Sequence, residues 1–426
     1  MPTPARIQES MFAWGFRKQT NIIKPAIAAD CWRLNKLDGL LKAELVIEDD
    51  AAEMGKGHEF ATQSFLSHSN VTGSIDTYLS SEWAAFVMSF GLGGVSKGGT
   101  THLTYTCVPL VPATALELPY FTFLETIRQG GSAVLDRAAL GCVLNSWLLT
   151  VGTGPGRANA KLRADFIGSG KVIEPSSIVM PVAATAEHPL FGASVAAAIN
   201  GVDYVTVKNL VSLEAGWNNN VAADQGFYPG SGFQTDVAFA ITADPDTDII
   251  TAAGMAPVNG EVVRFATTGT LPTGLAAYTQ YYVRDSAGDT FKVAASPGGM
   301  AINITGAGSN STVLRYDATS GAIRGRHEIG TRAASLKFVA RFLNGSDELT
   351  KLKGQTPGTA VVSLTYDVNN SLILTFNQVK YKIVDLGETN GIVTVAVDCQ
   401  CEHHSTLGVL SAVAKCDIDN ICQAPA

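Results

Sequence analysis

The sequence predicts a mainly-β protein. Two regions share one plan, strands interrupted by a single helix, and a third small β module is set into the second region. Three observations carry this. Short runs rich in Val, Thr, Ala and Gly recur along the 426 residues, the texture of many short strands joined by turns. One segment with a helical apolar period stands out in each half. Between about 236 and 316 the texture changes to strands separated by Gly/Pro turns. The length leaves room for two or three domains. With 46% hydrophobic and 16% charged residues, the chain reads as globular.

In order, residues 16–24 read as a first strand and 42–47 as a second. The polar stretch 48–57 contains glycine, and β character resumes over 60–76, so a long hairpin loop is expected between them. The first helix starts at Asp76 or Ser80. Trp83, Phe86, Val87 and Phe90 share one face at i, i+3, i+4 and i+7. Ser80 or Ser81 can cap it, with Glu82 in the first turn, and Gly91 and Gly93 can stop it. Strands follow at 101–108, 119–125, 142–151 and 162–166. Pro, Ala, Ser and Thr dominate 175–188, which reads as a linker. The second region has strands at 202–214, 335–342, 360–366, 372–377, 379–384 and 392–399. Residues 344–353 form its helix, capped by Ser346, with Leu349 and Leu352 facing inward.

The stretch 236–316 has strands at 262–266, 280–284 and 290–294, with turn chemistry in Leu271-Pro-Thr-Gly-Leu275 and Ser296-Pro-Gly-Gly299. It reads as a small β-sandwich inserted in a loop, where insertion costs little closure entropy when its ends are close. The expected boundaries are 1–187 for the first domain and 188–235 with 317–402 for the second. The inserted module takes 236–316 and a C-terminal arm 403–426.

The net charge of −8, from 38 acidic and 30 basic residues, argues against tight binding to phosphate backbones. Met1 is followed by no apolar run of secretory type, and no run reaches the roughly 18–20 apolar residues of a membrane helix. The seven cysteines, at 31, 107, 142, 399, 401, 416 and 422, then read as reduced thiols.

Chemistry-bearing motifs are sparse. Residues 166–171 lack the spacing of a phosphate loop and the Ser/Thr that would hold Mg²⁺. Cys399, Cys401, His403 and His404, with Cys416 and Cys422 downstream, are zinc-type ligands. Their spacing of two equally places Cys399, Cys401 and His403 on one face of a strand, as packing thiols. Asp244, Asp246 and Asp248 alternate like the start of a calcium loop but lack its Gly and distal Glu. The five tryptophans are spread through the sequence as core or interface anchors. No nucleophile–base pairing is visible, so neither catalytic residues nor a cofactor or metal site are expected.

Several stretches, in order, resemble the two-domain tail tube proteins of long-tailed bacteriophages. These are Phe16-Arg-Lys-Gln-Thr-Asn-Ile-Ile-Lys-Pro-Ala, Glu53-Met-Gly-Lys-Gly-His-Glu, and Val71-Thr-Gly-Ser-Ile-Asp leading through the helix to Leu92-Gly93. In the second half they are Leu210-Val-Ser-Leu-Glu-Ala-Gly-Trp-Asn-Asn220, Gly325-Arg-His-Glu-Ile-Gly-Thr-Arg and Gly391-Ile-Val-Thr-Val-Ala-Val. The resemblance implies two tandem β-sandwich or barrel domains, each flanked by one helix, with an Ig-like decoration as the insert. It implies rings that stack into a tube, with Glu48, Asp49, Asp50, Glu53, Lys56, His58 and Glu59 in the ring-stacking loop.

DNA would pass through the lumen without sequence readout. Partners would be further copies of the chain, a tape measure protein, and terminator or baseplate proteins. The place would be the virion tail, assembled in the host cytoplasm. Single-domain members close six sheets around the lumen, so two sheets per chain imply a homotrimeric, pseudo-hexameric ring. The alternative is a baseplate, fibre or adhesin protein whose insert binds a receptor or glycan. A cell-wall glycosidase would need a carboxylate pair that the sequence does not distinguish.

Overall fold

The computed structural model describes residues 10–19, 22, 25–26, 28–34, 41–49, 64–100, 102–111, 117–129, 132–152, 160–173, 180–181, 187–227, 236–316, 323–343 and 347–424. Among the described residues it is mainly β, 59% strand with two helices. The chain divides into two units. One is Met1–Glu44, Asn70–Tyr228 and Arg324–Ala426; the other is Leu45–Ser69 and Pro229–Ile323.

In the larger unit the organising strand is Ser132–Gly152, 21 residues long. Its first part pairs with Phe121–Gln129, which pairs in turn with Met11–Gly15, and that with Cys31–Leu34. Its second part lies between Ala160–Gly168 and Leu210–Asn218. Strands from the two halves of the sequence are therefore hydrogen-bonded neighbours. The ladder continues through Ala333–Arg341 and Ile392–Cys401 to Ser371–Thr389. A register shift between Tyr381 and Ile383 divides that last strand. Its N-terminal part sits between Gly358–Thr365 and Leu410–Cys416, and Leu410–Cys416 pairs onward with Leu103–Pro109. One apolar core includes Trp83 and Phe86 from the first half and Leu336 and Tyr381 from the second.

Three expectations change here. The first strand among the described residues is Met11–Gly15, ahead of the expected 16–24, of which 20, 21, 23 and 24 lie outside the described residues. Phe12, Ala13 and Trp14 are buried in it, whereas Arg17, Lys18 and Gln19 offer no apolar side chain. The residues expected as a C-terminal arm include Leu410–Cys416, a strand with neighbours on both sides. Its alternating Leu410, Ala412, Ala414 and Cys416 are buried. The first helix, Ser81–Leu92, buries all twelve residues instead of one face. It starts as expected, with Ser80 Oγ accepting from the Trp83 N–H at 3.2 Å. It runs through Gly91 and ends at Gly93, whose φ of 84° favours glycine. Around it Trp14 lies 4.8 Å from Trp83 and 5.2 Å from Phe86, ring centre to ring centre.

In the smaller unit, six strands close into a barrel in the order Asp236–Asp244, Ile249–Ala252, Thr290–Ala294, Tyr281–Ala287, Val262–Thr270 and Ser309–Tyr316. A two-sheet sandwich was the expectation. The barrel arises because Ser309–Tyr316 pairs with both Asp236–Asp244 and Val262–Thr270, leaving no open edge. Ile250, Val263, Phe265, Val283, Phe291 and Val313 fill its interior.

Candidate interaction surface

Ser371–Thr389 and Ile392–Cys401 form a long hairpin closed by Asn390 and Gly391. Both turn residues have positive φ, 53° and 75°, the signature of a two-residue type I′ turn, for which Asn-Gly is the favoured pair. Glu388 stands opposite Val393, and Leu386 opposite Val395. Towards the tip the ribbon leaves the core. Ile383, Leu386, Ile392 and Val393 are 43%, 54%, 42% and 48% exposed. Gln355 Nε2 donates to the Tyr381 carbonyl at 3.0 Å. Beyond that point no strand pairs with the outer edge of this ribbon among the described residues. An unpaired edge strand with exposed Ile383 and Leu386, beside exposed Ile392 and Val393 on its partner strand, is the surface that proteins ordinarily cover. Residues 385–393 carry two carboxylates, Asp385 and Glu388, and no cation.

At the opposite end of strand Ile392–Cys401 lies a cleft of about 960 Å³, which Cys401 and His403 help to line. Its rim exposes Val108, Val111 and Leu407. The Arg332 guanidinium lies 5.9 Å from the centre of the Trp217 ring, within range of a cation–π contact. Burial pulls the Arg332 pKa below the usual arginine range. Among the described residues, Arg332 and His403 are the lining groups that can carry positive charge, and no Asp or Glu lines the cleft. Below it, Trp217 Nε1 donates to Asn219 Oδ1 at 2.8 Å, and the Asn219 amide donates to the Gly91 and Leu144 carbonyls. The cleft floor is thereby tied to the end of the first helix.

Three buried polar groupings hold the larger unit together. Arg324 is fully buried and donates to the carbonyls of Gly168 at 2.7 Å and Gln225 at 3.2 Å, and to Ala223 O and Asn70 Oδ1. Burial lowers its pKa to about 10. Beside it His327 Nε2 donates to the Gly141 carbonyl at 2.7 Å; a carbonyl can only accept, so Nε2 carries the proton. Burial lowers the His327 pKa to about 4. Under the short helix Glu348–Gly354, buried Glu348 accepts from the Tyr204 hydroxyl at 3.2 Å and faces Lys208 Nζ at 3.5 Å, while the Tyr204 and Tyr381 hydroxyls lie 2.8 Å apart. Burial raises both tyrosines. At the start of the first helix, buried Glu82 accepts from the His188 backbone N–H at 2.9 Å and lies 2.5 Å from its Nδ1. The hydrogen bond to Glu82 raises the His188 pKa.

The expected anchors divide. Trp83, Phe86, Val87 and Phe90 have no exposed surface, and Leu352 packs on the core. Leu349 is 42% exposed, against expectation. Glu348 and, four residues on, Leu352 set the inward face, which leaves Leu349 about 100° round from Glu348 and about 60° from Leu352, at the edge of that face. The helix begins at Glu348 after Asp347, and Ser346 lies outside the described residues. Of the stacking-loop residues, Glu48 and Asp49 end the strand Leu41–Asp49 with side chains outside the described set. Asp50, Glu53, Lys56, His58 and Glu59 lie outside it altogether.

Cys399 and Cys401 share a face of their strand as free thiols, and burial raises Cys399 and takes Cys401 up to about 12. Cys416 and Cys422 are buried free thiols too. Asp244 spends its carboxylate on the Asp246 N–H and the Thr247 hydroxyl, and Asp248 accepts from the Ile304 N–H at 2.7 Å. Among the described residues no three His, Cys, Asp or Glu side chains gather as a metal centre, and no helix is long and apolar enough to cross a membrane.

Sequence reasoning missed the hairpin tip, although Asn390-Gly391 between alternating runs is its signal. The cleft has no comparable signal, because its lining comes from four separated segments. No protein-family model matches the chain, and no curated protein matches it significantly.

Proposed function

We propose that the chain is a structural subunit of the tail tube of a long-tailed bacteriophage, assembling with copies of itself into rings that stack around a lumen for DNA. The observation that supports this most is the sheet. It joins strands from both halves of the chain in one ladder and ends in a ribbon with an unpaired edge and exposed aliphatic side chains. Closing such edges between copies removes them from water and satisfies their backbone groups. One of the stretches that resemble tube proteins, from Val71 to Gly93, coincides with the end of strand Ser64–Tyr78, helix Ser81–Leu92 and its Gly93 cap.

Each half contributes a helix and its share of sheet, so three copies make a pseudo-hexameric ring, with the 236–316 module outside the wall. The stretch 48–65 meets the next ring. DNA slides past without base-specific contacts, in keeping with the net charge of −8. Electron microscopy of purified protein, with mass measurement of dissociated rings, tests the reading. Hollow stacked rings of three chains are expected. Isolated spikes would favour a baseplate or fibre protein, and six chains per ring would overturn the pseudo-hexamer.

A further inference from the structure

We infer that the cleft at Arg332 receives the hairpin tip of a second copy, so that the subunit carries a plug and its socket at opposite ends of one strand. The inference rests on the self-assembly reading and assigns its contact residues. Leu386 and Val393 lie near the tip of the hairpin, and Cys401, at the far end of the strand that begins with Ile392, lines the cleft. At about 3.3 Å per residue the two ends of that strand are roughly 30 Å apart. A tip cannot therefore fold back into the cleft of its own chain, and the contact is head to tail between copies.

The two surfaces match in chemistry. The tip is aliphatic and acidic, with exposed Leu386, Ile392 and Val393 beside Asp385 and Glu388. The cleft is rimmed by exposed Val108, Val111 and Leu407, and its ionisable nitrogen groups are Arg332 and His403, with no carboxylate among them. Arg332 is already partly withdrawn from water above Trp217. A carboxylate brought to it gains more than one meeting a solvated arginine. Seating the tip also covers apolar surface on both partners.

Charge reversal tests the pairing in the full chain. Glu388→Lys and Arg332→Glu should each weaken assembly tenfold or more, read as the protein concentration at which half the chains are assembled in sedimentation. Combining the two should restore most of that loss. Leu407→Trp, on the exposed rim, fills the socket and should weaken assembly similarly, which keeps the test standing if Arg332→Glu does not fold. Unchanged assembly in Glu388→Lys and Leu407→Trp overturns the inference while leaving the ring reading intact. Failure of the combined variant to recover, with each protein folded by circular dichroism, also overturns it. If the unaltered chain forms no assemblies at all, the self-assembly reading falls and this inference with it.

Discussion

Arg324 stands where the chain returns from the inserted module, and its guanidinium serves four acceptors without touching water. Replacing it by methionine keeps much of the volume but leaves those acceptors buried and unserved. Arg324→Met should lose about 3 kcal/mol or more in denaturant unfolding, the cost of several orphaned carbonyls. A loss below about 1 kcal/mol would show that water takes the place of the guanidinium. The neighbouring His327 makes a pH prediction. Its folded pKa, about 4, lies below the ordinary value of 6.5. The unfolded chain therefore binds a proton that the folded chain refuses, and stability falls as the pH drops from 6.5 towards 4. The full penalty is roughly 3 kcal/mol. His327→Gln, which cannot titrate, should flatten the stability profile in that window, as urea midpoints from pH 4 to 7 will show. An equally steep profile would place the acid sensitivity elsewhere.

At the scale of elements, the hairpin depends on two residues with positive φ. Asn390 and Gly391 adopt φ values of 53° and 75°, which a β-carbon makes costly by about 1–2 kcal/mol at each non-glycine position. Asn390→Ala with Gly391→Ala should fray the tip without unfolding the core. Amide exchange should speed up at Asp385–Val395 and stay slow at Leu336 and Phe338, whose strand is interior. Uniform loss of protection would mean that the tip and the core unfold as one. The C-terminal strand makes the opposite case. Leu410–Cys416 lies between Ser371–Thr389 and Leu103–Pro109, so ending the chain after Glu402 bares the flanks of two interior strands. The truncated chain should be insoluble or lack a cooperative thermal transition. A well-folded truncated protein would return residues 403–426 to the status of an arm.

For the whole molecule, the inserted barrel belongs to a compact unit of its own, Leu45–Ser69 with Pro229–Ile323. The chain segments on either side of it are joined in the larger unit, with Gly325 N donating to Gly226 O at 2.9 Å and Ala222 N to Glu328 O at 3.0 Å. Its own core is a separate cluster. Replacing residues 236–316 by a short Gly-Ser linker should leave a cooperative fold with a thermal midpoint within a few degrees of the full chain, since closing short ends costs little. The excised 236–316 segment should fold alone, with the β spectrum of a barrel. Collapse of the remainder on excision would make the barrel part of the larger core.

Local pattern by itself determined a great deal. Alternation marked most strands, Ser80 and the apolar period marked the first helix, and turn chemistry marked the module at 236–316. Each of these is a short-range property, fixed by backbone preference and by which side of a residue meets water. Only the tertiary structure decided which strands became neighbours. Nothing local pairs Leu210–Asn218 with Ser132–Gly152, or threads Leu410–Cys416 beside Leu103–Pro109. The same holds for closure of the barrel and for full burial of the first helix. It holds also for the cleft, which gathers Val108, Trp217, Arg332 and Leu407 from separate segments. The physical reason is that a strand's hydrogen-bonding edges are alike in every sequence. Alternation says which face is buried, and long-range packing of the whole chain selects the partner.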